Sequence, residues 1–286
     1  MKGKVIPLAG NRGDSIVSVE RALHILERLA DSVDGLTFTQ IVALLKVNKA
    51  IACKLLDTLQ RSAYVFRNDR TGNYCLTYRV NNLGLRKLGT ARLLDQSSAV
   101  LRPLAERVGE LVRLAVVEGG ERITWVLSLL PHSQELQIDP NYSLEIGLHT
   151  HAAGKAWLAT MPIEKASRLV RARGMAPMTR YSLTRMEDLR AELTRTRRRG
   201  YAISFEEHAV GVGAVGVAVL ANGLDGVPRC VGVLTLAAPC ARLSRETLEA
   251  RAPLVQAAAS RLGELWPIDA SDAAEPPAGV THSAAS

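Results

Sequence analysis

Between Leu36 and Leu76 the spacing of apolar residues demands two short helices, a tight turn and then a β-hairpin. Thr37, followed three residues later by Gln40, has the form of a capping box, and Ile41, Ala43, Leu44 and Leu45 continue as a short helix. The run breaks at Lys46-Val47-Asn48, where Asn48 suits the N-cap of a second helix. In that helix Ala52, Leu55, Leu56, Leu59 and Ala63 recur at helical spacing and predict one buried stripe. The opposite face carries Asn48, Lys49, Ala50, Ile51, Cys53 and Lys54, a compact set of donors, cations and small groups. Tyr64-Val65-Phe66 and Tyr74-Cys75-Leu76 then flank a loop containing Arg67 and Arg70, which predicts a hairpin with a basic tip. Helix, turn, helix and wing form the arrangement that sets one helix in the major groove of DNA and a loop on the neighbouring backbone. Two short amphipathic helices also occur in many all-α folds, so the hairpin and the charge distribution have to separate the readings.

The charge is unevenly placed. The 286 residues carry a formal +8, but residues 1–90 hold 14 Lys and Arg against 7 Asp and Glu, whereas the rest hold 22 against 21. The surplus therefore sits on the segment already suspected of meeting phosphate, which favours double-stranded DNA as partner. A membrane surface is the poorer partner, since no lipidation motif and no basic amphipathic helix with aromatic anchors is present. The four cysteines are far apart and form no metal-ligand or disulfide pattern, no run of 18 apolar residues exists, and Met1-Lys2-Gly3-Lys4-Val5 lacks the long apolar core expected of a signal peptide. A cytoplasmic, reduced protein without cofactor or metal is expected.

The remaining sequence reads as an α+β chain. Residues 1–17 are expected to be a flexible basic tail. Ser18 is expected to cap a first helix with Val19, Ala22, Leu23, Leu26, Leu29 and Ala30 on its apolar face, and residues 18–80 to form the winged helix-turn-helix. Residues 81–97 read as a linker helix interrupted by Gly84 and Gly89. A second domain over residues 98–266 opens with a helix from about Ser98. Strands follow at Leu111–Glu118 and Arg122–Leu130, with a further strand candidate at Glu135–Ile138. Short helices at Ala152–Thr160 and Ile163–Ala172 come next, then a helix from Leu183 that ends in Arg197-Arg198-Arg199 before Gly200. Strands at Tyr201–Ser204, Val212–Leu220 and Arg229–Leu236 precede a last long helix capped by Ser244. Residues 267–286, rich in Ala, Ser and Pro, are expected to be disordered.

Several chemical readings are weak. Gly211-Val212-Gly213-Ala214-Val215-Gly216 matches GxGxxG, yet Val217-Ala218-Val219-Leu220 continues it as a strand, where a dinucleotide fingerprint needs a helix. Those glycines instead suit a bend and a close backbone approach. A nucleotide-dependent enzyme thus stays a distant alternative, and no nucleophile elbow, P-loop or zinc motif supports one. His149 and His151, near His132, invite a metal, but no third ligand stands at a defined offset, so they read as pocket or surface histidines. The Arg197–Arg199 run reads as a solvated helix end rather than a DNA contact.

Four blocks in order resemble the IclR family of transcriptional regulators. Ser18-Val19-Glu20-Arg21-Ala22-Leu23 is similar to the family's first helix and Asn48 through Leu59 to its recognition helix. Leu148-His149-Thr150-His151-Ala152-Ala153-Gly154-Lys155-Ala156 resembles the start of its effector domain, and Gly200-Tyr201 through Glu207, Gly211 and Pro239–Ser244 follow its C-terminal pattern. The resemblance implies a GAF-like α/β effector-binding domain behind the winged helix, and a dimer or dimer of dimers on a palindromic operator. It implies a small organic acid as effector. His149, His151, Ala152, Ala153, Gly154, Ser204, Ala214 and Ala237 fall at the corresponding pocket positions. The chain departs from the pattern in two places. Ala50, Ile51 and Lys54 stand where the family usually has Ser, Thr and Arg, which suits thymine methyls and a point-charge contact. Ser204, Ala214 and Ala237 stand where Asp, Cys and Ser are common, which favours a larger, more apolar ligand such as an aromatic acid. The expectation is a ligand-responsive regulator of a catabolic operon and not an enzyme; the alternative within the same fold is a sensor whose DNA binding is weakened.

Overall fold

The computed structural model describes residues 15–90, 93–131, 138–139, 145–223 and 225–266. Residues 1–14 of the expected basic tail, His132, most of the Glu135–Ile138 strand candidate and the tail from 267 lie outside the described residues. The chain divides into two compact units, Met1–Thr90 and Ala91–Ser286.

In the first unit α1 (Val17–Ala30), α2 (Phe38–Leu45) and α3 (Lys49–Arg61) pack around Ile25, Leu29, Ile41, Leu56 and Leu59. The hairpin of β1 (Val65–Arg67) and β2 (Tyr74–Leu76) closes this core through Val65, and α4 (Arg79–Thr90) follows, running through Gly84 and Gly89. The caps expected for α2 and α3 are present. The Thr37 hydroxyl accepts from Gln40 N–H at 3.2 Å while the Gln40 side chain accepts from Thr37 N–H at 2.8 Å, and Asn48 Oδ1 accepts from Ile51 N–H at 2.9 Å.

Three expectations change. The first helix starts at Val17 behind Ile16 with no side-chain cap, so Ser18 is an interior residue. Its buried face is centred on Ile25 and Leu29, leaving Val19 52% and Leu23 55% exposed. The stripe of α3 stops at Leu59, because the helix ends at Arg61 and Ala63 turns left-handed at φ 58° to start the wing.

The second unit is a three-layer α/β/α sandwich. α5 (Leu93–Val108) starts five residues earlier than expected, with Leu93 and Ser97 already buried. It leads into β3 (Leu111–Glu118) and β4 (Arg122–Leu129), then α6 (Ala152–Leu158), α7 (Ile163–Arg173) and α8 (Met186–Arg199). β5 (Ala202–Phe205), β6 (Val212–Asn222), β7 (Pro228–Pro239) and α9 (Arg245–Leu265), capped by Ser244, complete it. All five strands pair antiparallel in the order β4-β3-β7-β6-β5. Alternation then sorts side chains to two cores. Val112, Leu114, Leu234 and Leu236 meet α5 and α9, whereas Ala115 and Val233 meet the helices of the other face, built on Trp157, Val170, Leu189 and Leu193.

From Val212 onward the GxGxxG segment is part of β6, as its strand-like continuation implied. Gly211 takes a positive φ of 80°, and the other two glycines are spacers: a Cβ on Gly216 would lie 2.7 Å from the Ala152 carbonyl oxygen, and one on Gly213 2.5 Å from Leu248. Gly216 thereby lets α6 lie directly on the sheet. Of the arginines closing α8, Arg197 and Arg198 are exposed and Arg199 is half-buried, and Arg197 and Arg199 also bond back to the protein. Arg197 donates to the carbonyls of Ala159 and Met161 at 2.9 and 2.8 Å, and Arg199 to Tyr201 O and Glu192 Oε1 at 2.6 and 2.7 Å. These bonds hold the end of α8 to the turn after α6 and to the start of β5. Among the described residues no helix is long and apolar enough to cross a membrane.

Candidate functional site

Each unit presents one surface with chemistry to spare. On the first, Lys46 terminates α2 in the left-handed region (φ 52°, ψ 43°) and redirects the chain into α3. With Ala52, Leu56 and Leu59 buried, helical periodicity sends Lys49, Ala50, Ile51, Cys53 and Lys54 to solvent, and all five are exposed. Asn48 is also exposed, but its carbonyl oxygen is committed to the cap, so its amide N–H2 is the group left to face a partner. Cys53 Sγ lies 3.8 Å from Asp57 Oδ2.

The wing is a built loop. Asn68 Oδ1 accepts from the N–H groups of Arg70 and Thr71 at 2.9 and 3.2 Å, and Gly72 supplies a positive φ of 75°. Arg67 donates from Nε to Gly72 O at 3.1 Å, with its guanidinium 5.8 Å from the Tyr74 ring centroid, so part of its fork holds the wing together. Arg70 stands exposed at the tip. The structure thus brings Lys49, Ala50, Ile51, Cys53 and Lys54 onto one helix face, followed by a loop with an exposed cation.

The second surface is a cavity between the sheet and the start of α6. About 50 Å³ is open to the centre of a water-sized sphere, and Leu111, Val212, Ala214 and Ala237 form its apolar wall. Ala214 and Ala237 are direct cross-strand partners on β6 and β7, which puts two methyl groups side by side where longer side chains would fill the space. Ala152 and Ala153 line it from α6, while Ser204, Thr235, Trp125 and Arg113 reach it from the strands.

Of the eight residues expected at this site, His151, Ala152, Ala153, Ser204, Ala214 and Ala237 line the cavity. His149 and Gly154 do not. The His149 ring is turned to the Ala176 carbonyl, with Nε2 3.0 Å from the oxygen, and burial lowers its pKa. Gly154 is needed for packing, because a Cβ there would stand 2.6 Å from Leu148 Cα. Ser204, the one hydroxyl expected to serve a ligand, donates instead to Thr150 O at 2.6 Å and ties β5 to the turn before α6.

The polar groups missed from the sequence are more telling. Arg113 is 6% exposed, its Nε donates to Ser128 Oγ at 3.2 Å, and its Cζ lies 3.9 Å from the Trp125 ring centroid. Burial lowers its pKa to about 10, so it keeps its charge at neutral pH. Its signal was a lone charge inside the apolar run Leu111-Val112-Arg113-Leu114-Ala115. His208 could not be found that way. It reaches His151 only through the fold, the two ring centroids being 3.7 Å apart. Gly147 N–H donates to His151 Nδ1 at 2.9 Å, so the neutral His151 ring carries its proton on Nε2. Burial, with His208 and Arg113 nearby, drives the His151 pKa well below 6.5, and burial with His149 takes His208 to about 4. Thr150 Oγ1 lies 3.3 Å from His208 Nδ1.

Behind the cavity, fully buried Lys155 on α6 donates to Glu207 Oε1 at 2.6 Å. Burial pulls the lysine pKa down and the carboxyl pKa up, and the attraction between them opposes both shifts. The segment from Glu206 to His208 is further held by Thr179 and Ser182, whose hydroxyls donate to the Glu206 and Glu207 carbonyls at 2.6 Å. One wall of the cavity is therefore fastened to α6 by an ion pair and to the preceding loop by two hydroxyls.

Comparison with known proteins links the two surfaces. Residues 18–69 match the IclR helix-turn-helix domain, and residues 86–263 match the family described as bacterial transcriptional regulator IclR C-terminal. The chain is 25% identical over 244 residues to the acetate operon repressor of Salmonella typhimurium, covering 85% of this chain and 88% of that one. It is 26% identical over 197 residues to the transcriptional repressor IclR of Escherichia coli K12, covering 69% and 72%. Among solved structures, an IclR transcriptional regulator from Alicyclobacillus acidocaldarius aligns with TM-score 0.72 at 24% identity, covering 88% and 99%. An IclR homolog from Microbacterium hydrocarbonoxydans complexed with 4-hydroxybenzoate aligns with TM-score 0.67 at 20% identity, covering 86% and 98%.

Proposed function

Because the chain belongs to the IclR family of bacterial transcriptional regulators, we propose that it reads its operator with α3 and the wing and answers to a small, apolar organic acid in the α6 cavity. It is an IclR-type DNA-binding regulator, and its relatives are named as repressors rather than enzymes. The observation that carries the finer reading is the pair of cross-strand methyls, Ala214 and Ala237, beside Leu111, Val212 and Trp125. They widen and dry one side of a cavity whose other side holds a cation and two imidazoles. That combination suits an acid with an aromatic body, as does the 4-hydroxybenzoate bound by the Microbacterium homolog. A catabolic operon is the natural target of such a sensor. Ala50 and Ile51 suit contacts with thymine methyls, while Lys49, Lys54 and Arg70 suit phosphate or guanine. The protein acts as a dimer or dimer of dimers on a palindromic site in the cytoplasm, and effector binding favours one spacing of its recognition helices over another.

Two experiments test this reading. Footprinting on DNA upstream of the protein's own gene should reveal a palindrome. Lys49→Ala and Lys54→Ala should each weaken its binding and shallow the dependence of log affinity on log salt by about one unit per lost phosphate contact. Wild-type gel shifts in both variants would remove α3 from the interface. Calorimetry with aromatic and aliphatic acids should give binding by aromatic acids; binding of glyoxylate-like acids alone would contradict the proposed ligand.

A further inference from the structure

Resting on the cavity as effector site, we infer that the indole N–H of Trp125 donates a hydrogen bond to the effector. The site then selects ligands that carry an acceptor oxygen where they meet β4. Trp125 owes its place to a break in strand register. Arg113 pairs with Ser128 and Leu114 with Leu127, but Ala115 pairs with Trp125, so Val126 is an extra residue on β4. Strict alternation would put residues 125 and 128 on opposite faces of the sheet, whereas the bulge puts both on the face of Arg113 and Ala115. There Ser128 Oγ accepts from Arg113 Nε, and the Arg113 guanidinium lies over the Trp125 ring with Cζ 3.9 Å from the centroid.

The indole keeps one group unspent. Among the described residues lining the cavity, Trp125 is the one whose side chain holds a buried polar atom, Nε1, without a hydrogen-bond partner. The hydroxyls that line the same cavity are committed, Ser204 to Thr150 O at 2.6 Å and Thr235 to Arg113 O at 3.4 Å. The guanidinium does not use the N–H either, because a cation over the ring meets its π face, whereas the N–H lies in the ring plane at the edge. An indole nitrogen can only donate, and a buried donor left without an acceptor carries an uncompensated desolvation penalty. The methyls of Ala214 and Ala237 offer no acceptor, and Nε1 is closed to water. A ligand oxygen, met by a turn of the half-buried indole, is the acceptor that the cavity can receive.

The probes are benzoate, neutral benzamide, which keeps an acceptor oxygen, and toluene, which has none, titrated calorimetrically into the purified full-length protein. Wild type should bind benzamide about fivefold or more tightly than toluene. Trp125→Phe keeps an aromatic ring but removes the N–H, and should lower benzoate and benzamide affinity by about fivefold with toluene changed by less than about twofold. Benzoate affinity unchanged in Trp125→Phe, an equal loss for toluene, or equal wild-type affinity for benzamide and toluene overturns the inference. A spectroscopic reading of the wild type stands even if that variant fails to fold. The chain has three tryptophans, hence three indole N–H signals in the NMR spectrum of nitrogen-labelled protein. One of them should move downfield with benzoate and with benzamide and stay in place with toluene; no downfield movement at saturating benzoate overturns the inference.

Ala214→Phe, which fills the cavity, separates the donor from the site that holds it. Benzoate binding lost in Ala214→Phe but unchanged in Trp125→Phe leaves the cavity as effector site and removes Trp125 from its role. Benzoate binding kept in Ala214→Phe overturns the cavity itself, and no binding of any probe to wild type overturns both. Near-UV circular dichroism checks the folding of each variant.

Discussion

Lys46 holds φ 52° and ψ 43°, a conformation that residues with a Cβ enter only at a cost. Its side chain is exposed, so Lys46→Gly removes the strain without opening a cavity. That substitution should stabilise the DNA-reading unit by up to about 1 kcal/mol, visible as a higher thermal midpoint at matched ionic strength. A lower midpoint would mean that the lysine side chain contributes more than its backbone loses. Residues whose role is local were the ones readable from sequence: Thr37, Gln40, Asn48 and Ser244 declare helix starts through the chemistry of their own turn. Ala63 was not readable, since its left-handed turn answers to the hairpin that follows. Arg113 and His208 were missed for a related reason, because each acquires its meaning from residues distant in sequence, Ser128 and Trp125 for the one and Thr150 and His151 for the other.

The element that organises the cavity is α6, and its attachment rests on the Lys155–Glu207 pair. The lysine side chain is fully buried and the glutamate side chain 14% exposed. Glu207→Gln should therefore lower stability more than Lys155→Met, by roughly 3–5 kcal/mol, since it strands a buried ammonium whereas the glutamate can take up a proton or reach water. Equal losses in denaturant melts would contradict that ordering. The imidazoles around α6 give the sensor unit a pH dependence of definite sign. His149, His151 and His208 all titrate below 6.5 in the folded state, His208 at about 4. The unfolded chain thus binds more protons in that window, and stability present above pH 6.5 declines as pH falls toward 4. Glu207, with its pKa raised, works in the opposite sense. His208→Gln should therefore shrink the drop in thermal midpoint between about pH 7.5 and about pH 5 by a few degrees, equivalent to roughly 1–2 kcal/mol. At this scale helices and strands were legible, because periodicities of 3.6 and 2 are written in local sequence. The cavity was half legible: α6 and the alanines follow from spacing, whereas its polar side depends on strand register.

For the whole molecule, a regulator that trades effector binding against operator binding must do so reciprocally. If a bound acid weakens operator affinity by a given factor, saturating operator DNA should weaken acid affinity by the same factor, typically about 5- to 150-fold in allosteric proteins. Fluorescence anisotropy and calorimetry on one preparation can compare the two factors, and a mismatch would show that the ligand acts on something other than the equilibrium that couples the two sites. The order of elements was legible in the sequence, but the strand order was not, because pairing between distant segments leaves no local trace. The central strand β7 is the last strand in the chain and joins β3 to β6, pairing Leu111 with Ala237. The first unit closes its core using residues no later than Leu76. As the polypeptide leaves the ribosome, the DNA-reading unit can therefore fold long before the sensor's sheet can be joined. A message cut short between the two would yield DNA readers with no sensor attached, competing for the operator and deaf to the signal.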